Sequence, residues 1–311
     1  MAAMRYATTL TQFPLGLVAT AMSFAILPTL SRYSSGVLDR GGILEPGIRE
    51  PEEPLIEVTS QESALGNQPS LLAAEPVATE AKSPPSITVQ EALTSYKTTL
   101  ALGMKMMLLV ILPAAVGLVV LREPIIRLLF QHGIFDAEAT SRTSLAFLCY
   151  SPGLPAAAVD QLLIFSFYAR KNTVTPVLVG VMGVLVYLLV AATPLGPLTM
   201  PRLALANSAQ WVSHALVMFF LLRRAVGGLG GFGLGAVVAK ALAGSAVMGG
   251  ALCILTLVIE RWVDISRISG LAVYLGLAVG LGIVVYGAII IVLRVEETRL
   301  FWQMIKARMG R

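Results

Sequence analysis

Residues 128–176 read LLFQHGIFDAEATSRTSLAFLCYSPGLPAAAVDQLLIFSFYARKNTVTP. Their order decides the fold class. A short amphipathic piece ends in Gly133-Ile134-Phe135. A long apolar segment follows, interrupted by Pro152, Gly153 and Pro155. The basic turn Arg170-Lys171-Asn172 closes it, and Thr175-Pro176 opens the next apolar run. Thr is a good helix cap, and Pro is tolerated in a first helical turn because its missing N–H would be unbonded there anyway. The stretch therefore predicts a loop, a broken membrane helix, a basic loop and a new membrane helix.

Composition extends that reading to the whole chain. Of 311 residues, 56% are hydrophobic and 13% charged, against about 25% charged in soluble domains. The fold class expected is all-α, a polytopic membrane protein. The net charge of +5 does not point to nucleic acid, because the basic residues lie mostly at helix ends, where they orient membrane proteins. Cys149 and Cys253 both fall in apolar runs and are expected as small buried hydrophobes. Neither the Cys nor the His residues have metal-ligand spacing, and residues 1–12 lack the apolar core and cleavage site of a signal peptide.

A membrane helix needs about 20 mostly apolar residues. Seven runs qualify, roughly 10–30, 98–121, 143–168, 176–194, 202–222, 236–259 and 270–293. Between the first two lies an insertion, 34–94, which holds ten of the 18 acidic residues and seven prolines. It offers too little apolar surface to offset its ordering entropy, so it is expected to be disordered, with 88–97 turning helical toward the second run. The divisions that follow are 1–33 (first helix and flanks), 34–94 (insertion), 95–225 (helices two to five), 226–294 (helices six and seven) and 295–311 (basic tail). The side of the membrane holding Arg170, Lys171, Arg223, Arg224 and the tail carries twice the Lys and Arg of the other, and is expected to be cytoplasmic. An odd number of crossings then puts residue 1 outside, which suggests the second part of a longer plan.

Hydrolytic and redox constellations are not apparent, and no cofactor is expected. Polar groups inside membrane helices are costly and mark pathways or helix contacts. Lys105 and Asp160 each lie about 10–12 Å inside the same end of neighbouring helices at 1.5 Å per residue, which predicts an ion pair; snorkelling of Lys105 to the headgroups competes with it. Asn207, Gln210 and His214 recur at i, i+3 and i+7 as one polar stripe, either the wall of a wet cavity or a set of interhelical hydrogen bonds. Pro152, Gly153 and Pro155 are a candidate hinge, since broken helices in transporters free backbone groups; a static kink is the alternative. The glycines between 227 and 235 do not follow a strand and so are no phosphate cradle.

Three motifs carry a family resemblance. Gln12-Phe13-Pro14-Leu15-Gly16 with Leu27-Pro28-Thr29-Leu30-Ser31-Arg32, then Leu112-Pro113-Ala114-Ala115 with the block from Pro124 to Phe135, then the run from Phe167 to Pro176, resemble the MurJ/MviN family of bacterial lipid II flippases. The likeness covers nearly everything outside 34–94. It implies helices eight to fourteen of a fourteen-helix plan, a bacterial cytoplasmic membrane location with a cytoplasmic C-terminus, and movement of lipid II by alternating access. The partners implied are lipid II or a related polyprenyl-linked substrate, membrane lipids and a separate N-terminal lobe. Helices six and seven would form the groove for the lipid tail. Where the family carries Tyr-Ala-Asp-Arg-Leu, this chain has Tyr6-Ala7-Thr8-Thr9-Leu10, so Thr9 stands at the position of a cavity arginine. The alternatives are a polysaccharide-lipid or drug exporter of the same superfamily, and a non-transporting membrane scaffold.

Overall fold

The computed structural model describes residues 2–38, 88–131, 135–193, 200–259 and 267–294. Among them the secondary structure is helical throughout. The elements are α1 (Ala2–Leu38), α2 (Val89–Val120), α3 (Arg122–Phe130), α4 (Ala137–Tyr150), α5 (Gly153–Ala169), α6 (Val174–Ala192), α7 (Met200–Ala225), α8 (Leu234–Ile259) and α9 (Ile268–Val292). Five of these, α2, α6, α7, α8 and α9, are long and apolar enough to cross a membrane; α4 and α5, bent by 47° at their junction, make a sixth crossing if taken as one span. The seventh expected run, 10–30, lies within α1, part of whose side chains fall outside the described residues. The expected disorder of the insertion concerns 39–87, which also lie outside them. Its margins are helix: α1 runs to Leu38 and α2 begins at Val89.

The start of α2 follows from local chemistry. Thr88 accepts a hydrogen bond from the Glu91 amide, and Glu91 reaches back to the Thr88 amide at 2.9 Å. This reciprocal box satisfies two donors that a helix start otherwise leaves open. Beyond it, Tyr96, Leu100, Met104, Met107 and Ile111 are buried on one face. Their spacing is that of a helical stripe. They meet Ile26 and Leu30 of α1, Leu162, Leu163 and Phe167 of α5, and Met218 and Leu222 of α7 in the largest core. A second core, at the other end of α1, gathers Ala7, Ile126, Phe147, Tyr150 and Ala204. There Tyr6 packs against Phe130, tilted, and Phe135, edge to face, with ring centres 4.6 and 5.3 Å away.

α8 packs on α2 and α9, and small residues bring them close. A methyl at Gly249 would lie 2.8 Å from Val116, and one at Gly244 3.2 Å from Tyr286. Pro113 sits inside α2, which continues through it as one helix. Having no N–H, it leaves the Leu109 carbonyl without its helical donor. The Tyr286 hydroxyl of α9 donates to that carbonyl at 2.7 Å. Outward faces stay apolar: Val177, Leu178, Val181, Leu185 and Leu189 of α6 are exposed, as are Ile254 and Leu257 of α8 and Ile283 and Val284 of α9. Such stripes are a liability in water and ordinary in lipid. Cys253, expected buried, is exposed on α8, while Cys149 is half-buried. An apolar run facing hydrocarbon has no inside to hide a thiol in.

Candidate functional site

The break between α4 and α5 begins with two missing donors. Pro152 and Pro155 have no N–H, so the carbonyls four residues before each lose their regular partners. The Leu154 amide turns to the Ser151 carbonyl at 3.1 Å, which strips Tyr150 of its own helical donor. Ser208 of α7 fills the gap: its Oγ lies 2.7 Å from the Cys149 carbonyl and 3.1 Å from that of Tyr150. Gly153 permits the approach, since a Cβ there would stand 3.0 Å from the Ser208 Cα. The expected hinge residues, Pro152, Gly153 and Pro155, thus sit at a real bend, clamped by a neighbouring helix. Ser208 was not singled out from sequence. It lies one residue from the polar stripe, on another face of α7, and a lone Ser in an apolar helix carries no signal of what it bonds.

About two turns further along α5, the same two helices meet again. Asp160 of α5 is fully buried, and its Oδ1 lies 2.6 Å from Nδ1 of His214 on α7. Its Oδ2 is buried without a hydrogen-bond partner among the described residues. The contacts climb in the same order on both helices, 153 with 208 and then 160 with 214, so α5 and α7 run in the same direction. The expected partner of Asp160 was Lys105. Instead, the carboxylate faces His214, and the Lys105 ammonium lies 3.9 Å from where a Cβ on Gly233 would be, at the connection between α7 and α8. A lysine stem long enough to reach the helix end leaves its charge there, whereas a short imidazole must find its partner across the packed interface.

The remaining members of the stripe look toward α6 or along α7. Methyls at Gly180 and Gly183 of α6 would come within 3.9 Å of His214 Nε2 and 3.4 Å of Gln210 Cγ. Bare backbone therefore lets α6 close over Gln210 and His214. Asn207 accepts from the Trp211 indole within α7, at 3.1 Å. Thr9 is exposed on α1 and donates to the Arg5 carbonyl at 2.9 Å. The structure brings Asp160 and His214 together with Gln210 beside them, and leaves Lys105 and Thr9 in other surroundings.

The basic turn before α6 is built otherwise than its motif predicted. α6 begins at Val174, so Thr175 is already helical; Thr173 at the N-cap makes no side-chain capping bond, and Asn172 before it supplies one. The Asn172 side-chain oxygen accepts from the Thr175 amide at 3.0 Å, and its amide donates to the Thr175 hydroxyl at 2.9 Å. Lys171 takes a left-handed conformation, φ 56°, which turns the chain from α5 into α6. Among the described residues no group of His, Cys, Asp and Glu is arranged to hold a metal ion.

Comparison with known proteins gives a consistent picture. The family described as "Lipid II flippase MurJ" matches residues 86–273. A "Probable lipid II flippase MurJ" of Rhizobium meliloti (strain 1021) is 38% identical over 112 residues, 36% of this chain and 21% of that protein. One of Vibrio cholerae serotype O1 (strain ATCC 39315 / El Tor Inaba N16961) is 31% identical over 202 residues, 65% of this chain and 38% of its own length. In three dimensions, "Lipid II flippase MurJ, inward closed conformation" superposes with a TM-score of 0.61 and 18% identity, over 98% of this chain and 47% of that one. The chain therefore spans less than half the length of each of these proteins.

Proposed function

The chain belongs to the lipid II flippase MurJ family, and we propose on that premise that it forms the C-terminal part of a lipid II flippase, moving the lipid-linked peptidoglycan precursor across the bacterial cytoplasmic membrane by alternating access. The observation that carries the reading is the family match over 86–273, most of the bundle. The task in such a protein is physical: a charged, sugared headgroup must cross hydrocarbon, and a polar path lowers that cost. Transport of this kind needs no covalent step from the residues described above.

In this reading the bend at Pro152, Gly153 and Pro155 is the hinge. Asn207, Gln210 and Thr9 belong to the polar path, and Lys105 to its cytoplasmic rim. The side holding Arg170, Lys171, Arg223 and Arg224 faces the cytoplasm, as the distribution of positive charge favours. α8 and α9 take the lipid tail along their exposed apolar faces. A first lobe bearing the family's cavity arginines works with this half, on the same polypeptide or another.

The test is complementation. In bacteria depleted of their own flippase, this chain is expressed alone and together with the first lobe of a MurJ relative, and lipid II exposed on the outer leaflet is measured. Restored exposure with both parts, and none with this chain alone, is the expected result. Failure of the combination, with both parts shown to be inserted, would overturn the proposal.

A further inference from the structure

The Asp160–His214 pair has a geometry that the transport reading does not use. Asp160 is 0% exposed and His214 8%. One carboxylate oxygen faces the imidazole at 2.6 Å and the other is buried with no hydrogen-bond partner among the described residues. The charged and titratable groups of the packed helices lie elsewhere. Between Leu15 and Leu30, α1 has no ionisable residue, and α6 has only Tyr187. On α4 these groups are Glu138, Arg142, Cys149 and Tyr150, all before the bend. On α2 they are Glu91, Tyr96, Lys97 and Lys105. The Tyr96 hydroxyl is bonded to the Ser166 carbonyl, and the Lys97 and Lys105 ammoniums stand by Gly227 and Gly233. On α7 itself Arg202, Arg223 and Arg224 sit at the ends.

With a single proton between them, carboxylate and imidazole sum to zero charge, whichever atom holds it. Take that proton away and a carboxylate with one unsatisfied oxygen remains in an apolar core. Add a second and a net cation remains there. Both states are costly in a low-dielectric interior, and both become tolerable once water reaches the groups. The pair also bridges the two helices that meet at the hinge, seven residues, or about 10 Å, along α5 from Gly153. Parting α5 from α7 must break the contact.

We propose that Asp160 and His214 form a proton-binding site: the packed α5–α7 interface holds one proton between the two side chains, and that proton passes to water only when the helices separate at the Pro152–Gly153 bend. By linkage, holding the proton favours the packed arrangement and losing it favours separation to the same extent. This goes beyond the lipid-transport reading and rests on it only for the hinge at the bend.

The chain has two histidines, His132 and His214, so a His132→Gln protein reports on one. Labelled with ¹⁵N-histidine and held in lipid nanodiscs, it is followed by NMR between about pH 5 and 8, the range in which a free imidazole titrates. The expected result is a hydrogen-bonded Nδ1 signal that stays constant through that range and disappears in Asp160→Asn. Above the range, its loss should coincide with faster amide hydrogen exchange in α5 and α7. A His214 that titrates as a free imidazole, or a spectrum unchanged by Asp160→Asn, would overturn the site. Should Asp160→Asn fail to fold, the pH series and the exchange on the His132→Gln protein decide alone.

Discussion

Ser208 offers one hydroxyl to two carbonyls, those of Cys149 and Tyr150, at the break where the Leu154 amide has turned from Tyr150 to Ser151. Burial makes that contact matter: an unsatisfied buried acceptor costs about 1–3 kcal/mol. Ser208→Ala is therefore expected to lower stability by about that much, read from reversible unfolding in mixed micelles. Gly153→Ala acts on the same contact from the other side. Its methyl would meet the Ser208 Cα at 3.0 Å, and a backbone atom cannot rotate away, so the helices must part. The two changes touch one contact and should not add. Full additivity would show that Ser208 does not clamp the break. The Asp160 carboxylate belongs to this scale as well, because no spacing rule connects it to a histidine 54 residues later.

At the scale of elements, prolines and caps set where helices begin and bend. The motif at Thr175-Pro176 suggested that Thr175 starts α6, yet the helix begins one residue before it, and Asn172, just ahead of the Thr173 N-cap, supplies the capping bond. A cap is worth about 1 kcal/mol. Asn172→Ala is expected to destabilise by about that amount and Thr175→Ala by clearly less, since the Thr175 hydroxyl bonds only to the Asn172 side chain that does the capping. Equal losses would return the cap to Thr175. Helix identity was readable because each run carries its own apolar length. The exact cap was not, because Asn and Thr three residues apart satisfy the same rule and only the turn geometry at Lys171 chooses between them.

For the whole molecule, the arrangement expected in the membrane can be checked directly. With Cys149 and Cys253 both replaced by Ala, a cysteine introduced by Gly230→Cys should react only with a reagent that reaches the cytoplasm. One introduced by Ala137→Cys should react with an impermeant reagent from outside. Gly230 has open space around it and Ala137 is exposed, so neither change should disturb packing. The reverse labelling pattern would invert the proposed orientation. The spans themselves were legible in the chain: six of the seven runs reappear among the candidate crossings, the broken one as α4 and α5.

What the sequence by itself determined is what depends on local composition. Long apolar runs must become helices in lipid, because each closes its own backbone hydrogen bonds. Prolines beyond a helix's first turn must open a backbone bond. Only the tertiary structure decided who closes the bonds that prolines open and who neutralises a buried charge. Ser208, Tyr286 and His214 come from helices far along the chain, brought there by the packing of glycines and apolar faces. The depth argument that paired Asp160 with Lys105 treated height in the membrane as enough. A partner must also lie on the facing side of a packed neighbour, and α7 presents His214 there.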